Sequence, residues 1–134
     1  MQVAACVKRK RRTDVGSQVT ISKLIRDYYA AYEGKNLSVI ELLLTDDFTF
    51  SSPRDDHINR VAYFGKCWPN CEKIRAFHIE KLFAKGDEAF VLYELEPNVG
   101  PRFRNTEFFR MKGNKIREVE VYFGSHVGTV GRDE

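Results

Sequence analysis

Asp55, Asp56 and His57 stand next to one another and form the first group of side chains that could transfer protons. Carboxylates and imidazole gain and lose protons between about pH 4 and 7, which suits general acid–base catalysis. The same aspartates could instead cap a helix, because a carboxylate accepts hydrogen bonds from the free amides of a first helical turn. Helix capping is the stronger interpretation, and Asp56 remains a secondary catalytic candidate.

Tyr28 and Tyr32 are a second group with usable chemistry, since a phenol hydroxyl both donates and accepts hydrogen bonds. They lie within residues 19–32, where apolar side chains recur at intervals of three and four and predict an amphipathic helix. Their spacing of four places both hydroxyls on one helix face, where they could bind a ligand. Packing in the core with incidental hydrogen bonds is an equally good explanation.

A second helix is expected directly after the first. Gly34 can end the first helix because it accepts a left-handed conformation, and Asn36 can cap the next one. Asp46 and Asp47 are expected to end the second helix, and residues 48–51 alternate as a short strand. The side chains that the second helix would bury are Leu37, Ile40, Leu43 and Leu44.

A third helix is expected after a turn at residues 52–56. The aspartates of that turn would cap it, and Pro69 cannot continue it because proline lacks the amide hydrogen. Trp68, beside that proline, could form a lid over a pocket, although a core anchor is the safer interpretation. The apolar side of this helix would consist of Ile58, Val61, Ala62 and Phe64.

From residue 74 onward the apolar pattern alternates, which predicts strands. Four strands are expected, at residues 74–83, 88–96, 102–112 and 115–123. The last two form a hairpin across the Gly113–Asn114 turn. Helices followed by an antiparallel meander indicate an α+β fold and not a βαβ alternation.

The chain has 134 residues, 43% of them hydrophobic and 31% charged, which is typical of one globular domain. We assign the domain to residues 18–124, between a disordered basic tail at 1–17 and a flexible tail at 125–134. No apolar run approaches the roughly 20 residues that cross a bilayer, so no membrane partner is expected.

Basic charge is concentrated in residues 8–12, which hold five of the 22 lysines and arginines. Without them 17 basic residues face 19 acidic ones, so the remainder is slightly acidic. No nucleic-acid partner is expected, because such proteins carry basic charge on a folded face. The segment could be a nuclear-import signal or an anion-binding arm, although a disordered extension is the simpler interpretation.

Cys6, Cys67 and Cys71 are too irregularly spaced for a disulfide framework or a C-x-x-C redox or zinc site. An odd number of cysteines fits the reducing cytoplasm, which is the expected location. With three histidines as the available nitrogen ligands, we expect no metal and no cofactor.

Three segments carry a resemblance to a known superfamily. DYYAAYEGKNL at 27–37, LLTDDFTF at 43–50 and EVEVYFG at 118–124 resemble nuclear transport factor 2-like proteins, and within them the SnoaL-like and ketosteroid isomerase-like branch. The resemblance extends over about residues 18–124. It implies a strongly curved, cone-shaped sheet wrapped around the long first helix, with a pocket in its mouth and often a dimer interface on its outer face.

The family's catalytic positions can be compared with this sequence one at a time. Tyr28 matches the tyrosine that stabilises an enolate oxygen in ketosteroid isomerases. Ser52 stands where those enzymes carry the aspartate base, and Thr106 where they carry a protonated aspartate. Val121 stands where SnoaL-like cyclases carry an acidic base. Steroid isomerisation and that cyclase mechanism are therefore disfavoured, because these side chains cannot take a proton from carbon near neutral pH.

Alternation divides each strand into two faces. If the family pattern holds, an apolar cavity would raise the pKa of Glu94 and make it an acid or base. A structural ion pair between Glu94 and Arg104 is the stronger interpretation. The strand side chains expected to face the cavity are Phe90, Leu92, Glu94, Glu96, Arg104, Thr106, Phe108, Val119, Val121 and Phe123.

Two functions remain in competition. The first is a small-molecule-binding protein that acts as an isomerase, lyase or cyclase, with Tyr28 as donor, Glu94 as acid or base and Asp56 in reserve. Its expected ligand contacts are Tyr32, Ser52, Trp68, Leu92, Arg104, Thr106, Phe108 and Val121.

The second is a non-catalytic binding or dimerisation module, and a nuclear-transport adaptor that uses the basic tail is a weaker third. A homodimer through the outer face of the sheet is expected. The side chains expected on that face are Val91, Tyr93, Leu95, Phe109 and Tyr122.

Overall fold

The computed structural model describes residues 21–126. Predictions for the basic tail at 1–17, for Cys6 and for the end of the C-terminal tail lie outside these residues. Helix α1 continues from the first described residue to residue 33. The later elements are α2 (Leu37–Leu43), β1 (Leu44–Ser52), β2 (Asp55–Asn59), α3 (Arg60–Lys66), a 3₁₀ helix (Trp68–Lys73), β3 (Ile74–Lys85), β4 (Glu88–Pro97), β5 (Phe103–Lys112) and β6 (Lys115–His126).

The strands form one six-stranded sheet in the order β2-β1-β6-β5-β4-β3. Strands β3 to β6 make the expected antiparallel meander, and β1 joins β6 in parallel, so the sheet is mixed. Register shifts interrupt β3 against β4 and β5 against β6, and such bulges bend a sheet. The α+β fold with a curved sheet is confirmed. None of the described helices is long and apolar enough to cross a membrane.

Helix α1 packs its aromatic side chains against the concave face of the sheet. The Tyr28 ring lies 5.4 Å from that of Phe109, and the Tyr29 ring lies 5.3 Å from Tyr93 and 4.7 Å from Phe77. Edge-on and tilted aromatic pairs at these distances stabilise the contact beyond the area they bury. The predicted first helix is confirmed over its described part.

Helix α2 is capped as predicted, since the Asn36 side chain accepts a hydrogen bond from the Val39 amide. Its predicted end at Asp46 and Asp47 is wrong, because β1 already begins at Leu44. The guanidinium of Arg60 donates to the carbonyl oxygens of Glu41 at 2.9 Å and Leu44 at 2.8 Å. These bonds satisfy carbonyls that the end of a helix leaves unpaired, and a distant arginine could not be inferred from the local pattern.

The predicted third helix begins too early. Residues 55–59 form strand β2, which pairs with β1 and places Ile58 opposite Phe50. Asn59, not an aspartate, caps α3 by accepting a hydrogen bond from the Ala62 amide at 2.9 Å. The helix therefore turns Tyr63 into the core, whereas Val61 is 82% exposed.

Gly124 lies where β6 passes close to β5. A Cβ atom at this position would stand 2.0 Å from the carbonyl oxygen of Arg104. The Gly124 amide also donates to the Asn105 side chain at 3.1 Å. Only a residue without a side chain fits here without moving backbone. Gly65 in α3 differs, since a Cβ atom there meets nothing within 4 Å.

Replacing Gly124 with alanine should lower the free energy of unfolding by more than about 2 kcal/mol, because one of the two strands must shift. The matched control, Gly65→Ala, should be neutral or stabilising by up to about 1 kcal/mol, because alanine favours the helix. Urea unfolding of both variants measures the difference. Equal urea midpoints for Gly124→Ala and the wild type would contradict the close approach.

Candidate functional site

A cavity of about 540 Å³, here called the inner cavity, lies between α1 and the concave face of the sheet. Aromatic and aliphatic side chains form most of its wall, and polar and charged side chains form the rest. Pockets of this size and character are typical small-molecule sites. Its lining is Tyr28, Tyr32, Phe50, Ser52, Arg54, Asp55, Lys66, Cys67, Asn70, Ile74, Phe77, Tyr93, Leu95, Glu107, Val121 and Phe123.

Three buried tyrosine hydroxyls meet beside this cavity. The Tyr63 hydroxyl lies 3.1 Å from the Tyr28 hydroxyl and also bonds to that of Tyr32. Burial raises the pKa of all three phenols well above the usual value, so they stay protonated. The two hydrogen bonds among the three hydroxyls use two of the three O–H groups as donors. One O–H therefore remains to be donated to a ligand.

Glu107 on β5 is a carboxyl group that the protein buries in this cavity. Glu107 is 4% exposed, and this burial raises the pKa of its carboxyl group to about 7. The nearby hydroxyls of Tyr93 and Tyr29 lower this pKa and offset only part of the rise. Within the described chain, neither Glu107 Oε2 nor the Tyr29 hydroxyl has a hydrogen-bond partner. Buried polar atoms are usually paired. Glu107 therefore lines the cavity with hydrogen-bonding capacity that the described residues leave partly unused.

Asn105 orients one of the groups near Glu107. Its side-chain amide donates to the Tyr93 hydroxyl at 3.2 Å, and its carbonyl oxygen accepts from the Gly124 amide. Because the Tyr93 oxygen accepts this bond, the proton of Tyr93 is free to point elsewhere. The contact with Tyr93 lowers the pKa of Glu107. Asn105 thus helps to orient the Tyr93 hydroxyl, which favours the ionised form of Glu107.

The mouth of the inner cavity carries charged side chains. Lys66 pairs with Asp55 at 3.0 Å, which neutralises both. Arg54 lines the inner cavity and also a neighbouring space of about 730 Å³, here called the outer cavity. Burial raises the pKa of the Cys67 thiol to about 11, so this thiol is protonated at neutral pH and is a poor nucleophile.

The family model of the SnoaL-like domain matches residues 25–119. The chain belongs to the SnoaL-like domain family. No curated protein sequence matches it at a significant level.

Solved structures with the same fold are distant in sequence. A nuclear transport factor 2-like protein of unknown function from Cytophaga hutchinsonii is 20% identical, with a TM-score of 0.64 over 77% of this chain and 88% of that one. A candidate ketosteroid isomerase from Kribbella flavida is 17% identical, with a TM-score of 0.66 over 79% of this chain and 78% of that one. An epoxide hydrolase of the LEH-like type from M. tuberculosis is 14% identical, with a TM-score of 0.65 over 78% and 83% of the two chains. At such identities these similarities establish the fold alone.

Four predicted site residues line the inner cavity of this SnoaL-like domain: Tyr28, Tyr32, Ser52 and Val121. Trp68 lies in the core with its ring 4.8 Å from that of Tyr32, which agrees with the anchor interpretation. Asp56 is exposed and accepts a hydrogen bond from His57 at 2.6 Å. Its neighbour Asp55 is the aspartate that reaches the cavity wall.

The faces predicted for β4 and β5 are reversed. Val91, Tyr93 and Leu95 are buried against α1, so alternation turns Glu94 to the outer face. Glu94 lies opposite Arg104 and is 3.8 Å from its guanidinium, so the ion-pair alternative for Glu94 and Arg104 is correct. Glu94 also pairs with Arg102 at 3.0 Å. The other predicted site residues that this reversal moves to the outer face are Leu92, Thr106 and Phe108. The expected outer set is likewise wrong for Val91, Tyr93, Leu95 and Phe109, which are buried, and right only for Tyr122.

Three residues at the site were not predicted from the sequence: Glu107, Asn105 and Tyr63. A signal for the second half of β5 was present, because Phe109 and Met111 share a face with Glu107, whereas Arg110 and Lys112 lie on the other face. An apolar face beside a charged one indicates which side is buried. The position of Tyr63 depended on the true start of α3 and had no local signal.

A second group of ionisable residues lies on the outer face. His57 Nε2 is 3.3 Å from Glu118 Oε2 and 3.8 Å from Glu120 Oε1. Each of these three residues offers one atom of a type that binds metal ions, and the three atoms lie within 4.8 Å of one another. Arg110 pairs with Glu118 at 3.3 Å. The hydrogen bond to Asp56 raises the pKa of His57. His57 and Arg110 thus offset part of the negative charge of these carboxylates, and none of these side chains lines the inner cavity.

Replacing Glu107 with glutamine should change how stability depends on pH. The raised pKa means that the folded state holds the proton more tightly than the unfolded state. The contribution of protonated Glu107 to the free energy of unfolding is therefore complete below about pH 4.5 and is lost as pH rises through about 7. Relative to the wild type, Glu107→Gln should gain about 3 kcal/mol between about pH 4 and pH 8.

Urea unfolding at several pH values measures this difference. Glu41→Gln, which removes an exposed carboxylate, serves as the control for any general effect of lost charge. A constant difference between Glu107→Gln and the wild type across the pH range would contradict the buried, proton-binding carboxyl.

Proposed function

We propose that this SnoaL-like domain is an enzyme that moves a proton on a small, weakly polar organic molecule bound in the inner cavity. Glu107 serves as the acid or base, and the hydroxyl group of Tyr28, Tyr32 and Tyr63 serves as the hydrogen-bond donor. The observation that carries the proposal is the buried Glu107 carboxyl, with a pKa raised to about 7, in the wall of a ligand-sized cavity.

A carboxyl group with a pKa near neutrality is well suited to both halves of a proton transfer. It is ionised often enough to accept a proton and protonated often enough to return one. The same burial that raises the pKa of Glu107 excludes water from the ligand, which strengthens hydrogen bonds to a developing oxyanion. Tyr28 and Tyr32 line the cavity with Glu107, and their pKa values are raised in part by its charge, so the groups act within one site.

The comparison with family positions also supports Glu107. The sequence comparison placed Thr106 at the penultimate-strand carboxyl of ketosteroid isomerases, yet Thr106 lies on the outer face. Glu107, one residue later, occupies the inward position on that strand. The family therefore supplies a precedent for a carboxyl at this place and for the tyrosine matched by Tyr28. A carboxyl group and a phenol in these places suit an isomerase, lyase or cyclase type of reaction, because each of these can proceed by proton transfer at carbon.

A homodimer is proposed as the working assembly. The outer sheet face carries a row of aromatic side chains, because Phe83 lies opposite Phe90 and Phe90 opposite Phe108, and Tyr122 stands nearby on β6. Phe83, Phe90 and Tyr122 are 70%, 51% and 52% exposed. A contiguous exposed aromatic patch of this kind typically marks an interface. A cytoplasmic location remains a prediction from the cysteine content.

Glu107→Gln should abolish deprotonation of a carbon acid in the cavity. With 5-nitrobenzisoxazole as the probe, the carboxylate takes the ring C–H proton, the nitrile forms as the N–O bond breaks, and a tyrosine hydroxyl stabilises the departing phenolate. The wild-type rate should rise with pH and reach half its maximum near the pKa of about 7. The substitution should lower kcat/KM by about 100-fold or more.

The control for this test is Glu94→Gln, which removes a carboxylate from the outer face and should leave kcat/KM within about twofold. Circular dichroism checks that both variants fold. A wild-type protein that turns over the probe no faster than Glu107→Gln would refute the catalytic assignment and leave a binding function for the cavity.

Phe90→Glu should convert the homodimer to a monomer, because it places two carboxylates in an apolar interface. Sedimentation velocity measures the mass. Val61→Glu, at an exposed apolar position in α3, should leave the dimer intact. A monomeric wild type, or a dimer that persists in Phe90→Glu, would contradict an interface on this face.

A further inference from the structure

Arg54 is an exposed residue that lines both cavities. Its guanidinium carbon stands 5.8 Å from the centre of the Phe123 ring, and both residues line the inner and the outer cavity. Within the described residues, no carboxylate lies within ion-pairing distance of this guanidinium, although most other arginines on the sheet are paired with glutamate or aspartate. A planar guanidinium matches the geometry of a carboxylate.

The two cavities are neighbouring parts of one elongated space. They share five lining residues: Arg54, Asn70, Ile74, Leu95 and Phe123. The inner part holds Glu107 and the tyrosine hydroxyls, and the outer part adds the apolar side chains of Pro97, Val99 and Phe103. A ligand that extends from one part to the other passes Arg54.

Charge around this space leaves a cationic excess at the junction. Asp55 is neutralised by Lys66 at 3.0 Å, so it does not balance Arg54. The outer cavity adds Lys73 and a single carboxylate, Glu72. Glu107 is partly ionised at neutral pH, and a second anion close to it would be repelled. A negatively charged group of a ligand is therefore favoured at Arg54 and disfavoured at Glu107.

We infer that the ligand is an elongated, mainly apolar organic acid whose single carboxylate binds Arg54 at the junction of the two cavities. Its uncharged reactive part lies against Glu107 and the tyrosine hydroxyls, and its remaining apolar surface covers Leu95, Phe103 and Phe123. This inference rests on the proposed function, since that function places the reaction at Glu107. It narrows the substrate class from any weakly polar molecule to an amphipathic monoanion.

The test uses two fluorescent probes that differ only in charge, cis-parinaric acid and its methyl ester. Their affinities are measured for the wild type, for Arg54→Gln and for Arg26→Gln, which removes an exposed arginine that lines neither cavity. Arg54→Gln should weaken binding of the acid about tenfold and change binding of the ester less than twofold, because only the acid forms the charged hydrogen bonds. Arg26→Gln should change neither. Added salt should weaken binding of the acid to the wild type and have little effect on Arg54→Gln.

Three outcomes would overturn the inference: equal affinity of the wild type for acid and ester, equal losses in the two arginine variants, or no binding of either probe. These outcomes are independent of the proton-transfer proposal, which is tested by benzisoxazole turnover in Glu107→Gln. Competitive inhibition of that turnover by cis-parinaric acid in the wild type, with a weaker effect in Arg54→Gln, is the result expected when both proposals hold. Turnover that is unaffected by the bound acid would overturn the placement of its apolar body beside Glu107.

Discussion

The packing of α1 against the concave face of the sheet is the contact on which the rest of the molecule depends. Tyr28 and Tyr29 meet Phe109 and Tyr93 in a layer of buried rings, and this layer holds the helix above the bent strands. Aromatic side chains are large and have few rotamers, so they separate the two layers by a defined distance. The inner cavity is the part of this space that the rings leave open.

The same layer sets the electrostatics of the site. A carboxyl group and five phenols share a region with little water, so the uncharged form of each is favoured. Because the ordinary pKa of a carboxyl is far below 7 and that of a phenol far above it, the same environment has different effects. It brings the pKa of Glu107 into the physiological range and moves the pKa values of the tyrosines further above that range. One desolvated space therefore yields a group that exchanges protons beside groups that only donate hydrogen bonds.

The sequence predicts those parts of the fold that local pattern determines. Helix α1, the cap at Asn36 and the hairpin at Gly113–Asn114 are correct because their signals lie within a few residues. The end of α2 depends on Arg60, which is distant along the chain, and was misplaced.

The candidate site was predicted in part. Tyr28 and Tyr32 follow from helical periodicity and do line the cavity. The family pattern puts Glu94 on the inner face, whereas the apolar side chains of Val91, Tyr93 and Leu95 occupy that face. A strand has only two faces, so a single wrong choice of face exchanges every side chain on it and hides Glu107. Tyr63 could not be placed until the tertiary structure fixed the start of α3.

The parallel pairing of β1 with β6 has a consequence for the order in which the site is assembled. Thr49 pairs with Glu118 and Phe50 with Val119, so this contact joins segments far apart in the chain, whereas β3 to β6 are linked by tight turns. Closing a long loop costs more conformational entropy than closing a hairpin, so the meander can form before β1 docks. Strand β1 brings Phe50 and Ser52 to the cavity and leads directly to Arg54. In that order of events the mouth of the cavity would be completed after the meander, and a ligand that bridges Arg54 and Glu107 would join two parts of the fold that are far apart in the chain.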